Sequence, residues 1–448
     1  VTAYSARRLP VHRGPAAWNA ILPVADAPDL MIESLTADFA IVGGGFAGAS
    51  AARRLAQINP GARIVVLEAG RLAEGASGRN SGFMIDLPHD LSSDDYAGQG
   101  CESDREVITL NRAAIAFSGA AVADYGIDTA FFDPVGKVNG AASVKGDDHN
   151  RSYAKHLADL GESSEMLDAT AMHELTGSRH YVSGLYTPGT VMIQPAGYIR
   201  SCARGLRRDG VRIFENAPVT EIRRTGPDWM LTTQRGHVTA AKVILANNGH
   251  LESFGFETRR LMHIFLFASM TAELDVAALK SLGGAPRWGV TPSDPMGTTM
   301  RRIDTAQGGN RIITRTCASF LPGMEASEAA LKRAKRVHHQ KFASRFPALA
   351  GARMDYSWAG HLCLSRNGVS VMRRLDDGIF AACCQNGLGT VRGTLTGIAA
   401  AELASDMESS ITRHFAHEAA PSKLPPAPFA EIGANAYLRW KEWRAGQE

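Results

Sequence analysis

The residues with the clearest chemical meaning lie near the start of the chain. Gly43-Gly44-Gly45-Phe46-Ala47-Gly48 has the spacing G-x-G-x-x-G, and acidic Glu68 comes 20 residues after Gly48. Gly43 permits a tight turn, Gly45 lets backbone approach a diphosphate, and Gly48 lets a helix pack closely on a strand. A helix opening at Phe46 and Ala47 aims free N–H groups and about half a positive charge at that diphosphate. A carboxylate at Glu68 accepts hydrogen bonds from ribose hydroxyls and repels a 2′-phosphate. With 45 glycines in the chain, chance matches are easy, so context decides. A buried strand before, a helix after and an acid closing the next strand are the three demands of a dinucleotide site, and all are met.

The segment after Glu68 decides between a nicotinamide and a flavin. The chain reads Glu68-Ala69-Gly70-Arg71, then Ala76-Ser77-Gly78-Arg79-Asn80-Ser81-Gly82. A nicotinamide enzyme has no need of a second small-residue loop here. A flavin enzyme does, because the long FAD passes the sheet edge with backbone at close range. The reading is FAD, with Glu68, Ala69, Arg71 and the 77–82 loop around it. His89, in Ile85-Asp86-Leu87-Pro88-His89-Asp90, comes after that loop and is the first choice of pocket histidine. His250 is next to the nucleotide-side turn Asn247-Asn248-Gly249, and His263 and His361 sit in strand-like context. Arg301 and Arg302, on one strand, could bind an anionic substrate tail. Each of these side chains also has an ordinary structural use, as a core histidine or an ion-paired arginine.

Positioning these residues takes a particular set of elements. Residues 38–43 and 63–68 are short apolar runs read as buried strands, with a helix over 47–57 between them, a βαβ unit of about 30 residues. Helical spacing recurs over 103–125, 150–161 and 195–209. Strand-like alternation covers 211–214, 218–224, 229–234 and 237–246. From about 258 to 357 the texture changes, with strand-like 264–272, 298–304 and 310–318 around a helical stretch over 325–346. Residues 379–382 and a helix after Gly389 return to the first texture. The expectation is an α/β chain with an α+β part: a Rossmann-like FAD-binding domain interrupted by a mixed-sheet substrate domain. Its boundaries are an arm over 1–34, an FAD-binding domain over 35–100, 190–257 and 358–410, a substrate domain over 101–189 and 258–357, and a tail over 411–448 with an amphipathic helix.

Bulk properties narrow the class. A length of 448 residues suits two or three domains. A formal charge of +3 is too weak to argue for nucleic acid or an anionic membrane surface. Cys101, Cys202, Cys317, Cys363, Cys383 and Cys384 form no C-x-x-C pair and fit no zinc spacing. Six thiols are too few for a disulfide scaffold and read as buried groups in a reducing compartment. The apolar runs over 40–52 and 397–401 fall short of the roughly 20 residues that span a bilayer. No apolar segment comes after Arg7-Arg8. The expectation is a cytoplasmic protein without metal or membrane span.

These motifs resemble the D-amino-acid-oxidase-like (DAO) family of FAD oxidoreductases over most of the chain. Trp18, the glycine loop and Ala76–Gly82 are similar to its gamma-glutamylputrescine oxidase-type amine oxidases, as is the tail from Pro428-Phe429 to Trp440 and Trp443. Gln194-Pro195-Ala196-Gly197-Tyr198, Trp358-Ala359-Gly360 and Asn386-Gly387-Leu388-Gly389 resemble later family motifs. The resemblance implies a glutathione-reductase/DAO-like two-domain architecture. It implies that Ser77, Gly78, Arg79, Asn80, Ser81 and Gly82 line the pyrophosphate-to-flavin stretch. Val219 contacts the adenosine end, Asn247 and Gly249 lie on the nucleotide side, and Gly387, Leu388, Gly389 and Thr390 open a helix toward the flavin. Trp358 and Arg315 are expected beside the chemistry, Arg315 where some relatives use lysine for oxygen activation.

Departures from the family pattern carry information too. Gly360 stands where sarcosine-oxidase relatives have a flavin-linking cysteine, so non-covalent FAD is expected. Leu362 stands where the glycine-oxidase branch has a carboxylate-binding arginine, and Val391 where sarcosine oxidases have lysine. Leaving a buried carboxylate without its cation costs about 3–5 kcal/mol. The expected reaction is therefore oxidation of the C–N bond of a primary or secondary amine, gamma-glutamylputrescine-like or otherwise N-substituted, with subsequent imine hydrolysis. A D-amino acid, glycine or sarcosine-type oxidase or dehydrogenase is the alternative, and a non-catalytic flavoprotein subunit a further one. Oxygen or another carrier takes the electrons, and the oligomeric state is open.

Overall fold

The computed structural model describes residues 2–88 and 101–448. His89 lies outside the described residues.

Two large sheets organise the chain. Leu35–Val42 sits inside the nine-stranded first sheet, parallel to Ile64–Leu67 on one side and to His237–Leu245 on the other. Arg212–Phe214 extends the parallel run beyond Ile64–Leu67. The four residues Ile64–Leu67 are all buried, as a strand covered on both faces demands. Antiparallel Asp228–Thr232, Glu221–Thr225 and the arm strand Ala3–Ser5 continue the other side. Ile379–Cys383 joins parallel to the end of His237–Leu245 and carries Val371–Asp376 with it.

Helices Phe46–Ile58, Pro195–Arg208 and Val391–Ala404 bury their apolar positions in one core with this sheet. Pro195–Arg208 begins with proline, whose missing N–H would be orphaned there anyway, and Gln194 caps it by accepting from the Gly197 N–H.

The second sheet has eight strands, in the order Met354–Ser365, Leu261–Thr271, Arg311–Phe320, Thr299–Ile303, Trp288–Pro292, Lys137–Ala141, Ser183–Thr187 and Glu165–Asp168. Helix Glu328–Arg345 packs on Arg311–Phe320 and Leu261–Thr271. Phe429–Ala445 lies along the end of Arg311–Phe320, where Asn435 both accepts from the Phe320 N–H and donates to its carbonyl.

The expected boundary at 358 is corrected. Met354–Ser365 pairs along its length with Leu261–Thr271, so residues 358–365 belong to the second sheet. The chain leaves that sheet only beyond the turn before Val371. The boundary at 190 also shifts in meaning, because Val191–Ile193 pairs with Phe83–Met84 and Phe132–Asp133 in a small third sheet.

Candidate functional site

A cavity opens at the junction of the two sheets, beyond the carboxyl ends of Leu35–Val42, Ile64–Leu67 and His237–Leu245. Its empty volume is about 2080 Å3, the open mouth included. Ligands of open parallel sheets bind at this end of the strands, where successive connections diverge.

The floor is the glycine loop. Gly43 has φ +107°, and a Cβ there would lie 2.7 Å from the Ala246 carbonyl oxygen. A Cβ at Gly48 would lie 1.8 Å from the Gly43 oxygen, so only hydrogen fits between helix and strand. Gly45 caps Phe46–Ile58 with no side-chain hydrogen bond, which leaves first-turn N–H groups without a side-chain partner at the cavity. Glu68 lines the cavity and accepts from the Gly44 N–H at 2.8 Å and the Gly70 N–H at 3.1 Å. Burial pushes its pKa up, opposed by those amide hydrogen bonds.

The second loop is pinned from several sides. Asn80 donates to the Ser77 carbonyl at 2.7 Å and accepts from the Gly82 N–H at 2.8 Å, closing the loop on itself. The Trp18 indole donates to the Asn80 carbonyl at 2.8 Å, and the Trp358 indole to the Arg79 carbonyl at 3.0 Å. Arg79 donates to the carbonyls of Glu74, Arg13 and Ala359. Arg301 donates to the carbonyls of Gly82 at 2.7 Å and Ile193 at 2.6 Å, with its guanidinium 4.8 Å from the Trp18 ring centre. Ser77, Arg79, Asn80 and Ser81 line the cavity; Gly78 and Gly82 shape the turn behind it.

Opposite lies the start of helix Val391–Ala404. Gly387, Leu388, Gly389 and Thr390 line the cavity, and this helix too begins without a side-chain cap. The Thr390 hydroxyl donates to the Phe83 carbonyl at 2.7 Å and ties the helix start to the strand beyond the second loop. Phe46, Ala47, Ala69, Val219 and Asn247 complete this half of the wall. The second sheet contributes Leu266, Ala268, Thr291, Thr299 and Arg315, whose Nε lies 3.4 Å from the Ser81 Oγ.

Several expected roles are corrected by the geometry. Trp358 is fully buried and lines no part of the cavity; it holds the loop by the Arg79 carbonyl instead. Arg301 is engaged by backbone carbonyls and the Gln307 side chain, behind the cavity wall rather than in it. Arg302 points to the other side of its strand and donates to the Gly283 carbonyl. Arg71 pairs with Glu215 in a neighbouring cleft. His263 is buried behind the wall. Gly249 lies beside it, where a Cβ would strike the rings of His361 and His263.

A histidine chain emerges that the sequence did not reveal. His361 lines the cavity, with Nε2 3.2 Å from the His263 Nδ1; the His263 Nε2 lies 2.7 Å from the Glu252 Oε2. Phe265 stacks on His361 at 4.8 Å. His250 and His12 also line the cavity, each lowered to about 4, chiefly by burial. Burial likewise holds His361 well below its usual range. His361 is 98 residues from His263 in sequence, and the pairing of Leu261–Thr271 with Met354–Ser365 brings the two ring-bearing strands together.

Comparison with known proteins agrees with this geometry. The profile of the DAO family, described as FAD dependent oxidoreductase, matches residues 38–403. The chain belongs to the DAO family of FAD-dependent oxidoreductases. It is 26% identical over 389 residues to the gamma-glutamylputrescine oxidoreductase of Escherichia coli, covering 84% of this chain and 85% of that one. It is 24% identical to the probable oxidoreductase OrdL of Rhizobium meliloti, over 88% and 89% of the two chains. Among solved structures, glycine oxidase from Geobacillus kaustophilus superposes with a TM-score of 0.68 at 18% identity, covering 84% of this chain and 96% of that one. The amino acid oxidase NikD superposes at 0.66 and 16% identity, over 88% and 99%.

The enzyme's residues fit FAD. Two uncapped helix starts, at Gly45 and Thr390, face one cavity that also holds the Glu68 carboxylate. Amide donors suit the diphosphate at the first of these and negative charge on the flavin at the second, and the carboxylate suits the adenosine ribose.

Proposed function

We propose that this flavoenzyme oxidises the C–N bond of an amine that enters as the neutral base and carries its negative charge elsewhere in the molecule. One observation carries the reading. Among the described residues that line the cavity, Glu68 is the one carboxylate, while Arg8, Arg79 and Arg315 bring cations. Among those same residues, an ammonium finds no counter-ion at the second-sheet end. A free alkylamine, with a pKa of about 10, loses its proton at a cost of about 4 kcal/mol at neutral pH. Cationic walls and half-buried histidines held low in pKa favour the uncharged amine over the ammonium. Bound FAD supplies the two-electron acceptor for hydride from the carbon beside the nitrogen.

The protein's part is orientation and exclusion of water. Phe83, Ile85, Leu266, Ala268 and Leu362 give the cavity an apolar wall, and Thr291 and Thr299 add hydroxyls. Arg315, on the cavity wall, is the cation proposed to meet an anionic tail. Gly360, whose Cβ would meet the Arg79 carbonyl oxygen at 2.9 Å, carries no side chain that could bond to the flavin, in keeping with non-covalent FAD. The likeness to a gamma-glutamylputrescine oxidoreductase supports an N-substituted amine with a remote carboxylate.

The test is an anaerobic panel of γ-glutamylated amines, uncharged alkylamines and simple α-amino acids, read by bleaching of the flavin. The γ-glutamylated amines are expected to bleach fastest. Arg315→Leu is expected to raise KM for them about tenfold or more, with little change for uncharged amines. A second reading, an α-amino acid oxidase, is favoured by Arg315 itself. Equal or faster bleaching by simple α-amino acids would establish it and remove the first.

A further inference from the structure

Helix Phe429–Ala445 turns its largest apolar side chains outward. It packs Ala430, Ala434 and Leu438 against Ile264, Ala318 and Phe320. It exposes Phe429 by 73%, Ile432 by 66%, Trp440 by 47% and Trp443 by 77%. These four positions, with Ala436 between them, fall on one stripe at the spacing of a single helix face. Water dictates the opposite arrangement, so the stripe marks a surface built for contact.

The surroundings of the stripe identify the contact. Arg444 lies over the Trp440 ring at 5.0 Å, while Lys441, 5.7 Å from the Tyr437 ring, is buried on the inner side of the helix and takes no part in the stripe. Arg439 flanks the other side and pairs with Glu442 at 2.7 Å. Helix Glu328–Arg345 runs alongside, joined through Arg333–Glu442 at 3.0 Å and Lys341 to the Gly446 carbonyl. Its outer side carries exposed Lys332, Lys335 and Arg336, with Glu328 the acid among them. Exposed tryptophans beside the outward cations of Glu328–Arg345 match the boundary of a bilayer, where aromatic rings sit at headgroup depth and cations meet lipid phosphates. Among the described residues no helix is long and apolar enough to cross a membrane, so contact through these helices is confined to the surface.

We infer that the outer face of Phe429–Ala445, with the basic side of Glu328–Arg345, docks the enzyme on an anionic lipid surface. The chain's net charge of +3 hides this, because the cations are gathered locally.

Co-sedimentation of the FAD-loaded enzyme with vesicles tests it. The protein is expected to pellet with phosphatidylglycerol–phosphatidylcholine vesicles and to stay in solution with phosphatidylcholine alone. Raised salt is expected to release it, and tryptophan emission to shift to the blue on binding. The double substitution Trp440→Ser with Trp443→Ser alters exposed positions only; it should weaken binding about tenfold or more while leaving the flavin spectrum unchanged. Lys335→Glu with Arg336→Glu should remove the preference for phosphatidylglycerol. Wild-type protein that stays in solution with anionic vesicles overturns the inference. So does a dimer in sedimentation velocity that Trp440→Ser with Trp443→Ser dissolves while vesicle binding is untouched.

Discussion

Glu68 shows how one side chain serves two structures at once. Its carboxylate fastens Gly44 and Gly70 across the glycine loop while facing the cavity. Hydrogen bonds to a charged group are worth about 1.5–3 kcal/mol. Glu68→Gln is therefore expected to weaken FAD binding about 10- to 100-fold, measured by quenching of flavin fluorescence on titration of apoprotein. His338 makes a second prediction at this scale. It is fully buried, with the Ser269 Oγ 2.7 Å from Nδ1 and the Thr316 carbonyl oxygen 3.2 Å from Nε2, and burial lowers it to about 4. A base whose pKa falls on folding contributes its full stability above the unfolded value near 6.5. That contribution is lost as pH falls toward 4, because the unfolded chain binds the proton first. The displacement corresponds to about 3 kcal/mol. The unfolding midpoint should hold steady above about pH 7 and drop steeply between pH 6.5 and 4, and His338→Gln should flatten that drop. At this scale Glu68 and the glycines are plain in the sequence, because their roles come from backbone spacing. Arg301 and Arg315 cannot be told apart there: both lie on strands of similar pattern, and only the fold turns one toward Trp18 and the other toward the cavity.

Elements are legible where their period is strong. The spacing over 195–209 anticipates helix Pro195–Arg208, and that over 325–346 anticipates Glu328–Arg345. The strands Trp288–Pro292 and Lys137–Ala141 give no such signal, because all their residues are buried and no alternation marks them. Met354–Ser365 is hidden for a different reason: Trp358-Ala359-Gly360 resembles a flavin-side motif, while the pairing with Leu261–Thr271 runs straight through it. Contact between elements also sets apart glycines that look alike in sequence. Gly48→Ala drives a methyl into the Gly43 carbonyl and should separate helix from strand, with loss of FAD and a lowered unfolding midpoint. At Gly389 an added Cβ meets no protein atom within 4 Å, so Gly389→Ala should keep the unfolding midpoint of the apoprotein. An equal fall in the apoprotein's thermal unfolding midpoint for the two substitutions would show that the helix–strand approach is not limiting.

For the molecule as a whole, the Rossmann-like half and its mixed-sheet companion are readable from changes of texture along the chain. The assembly of the cavity is not, since it draws on many separated stretches and on the arm. Arg8, Leu9, Pro10, Val11 and His12 form part of its wall, and the carbonyl of Arg13 and the indole of Trp18 anchor the arm to Arg79 and Asn80. A group seated in the cavity thus rests against a strap fastened to the very loop that grips it. Weakening that fastening, by Trp18→Phe, should hasten loss of the bound group, measured as flavin released from the holoprotein on dilution.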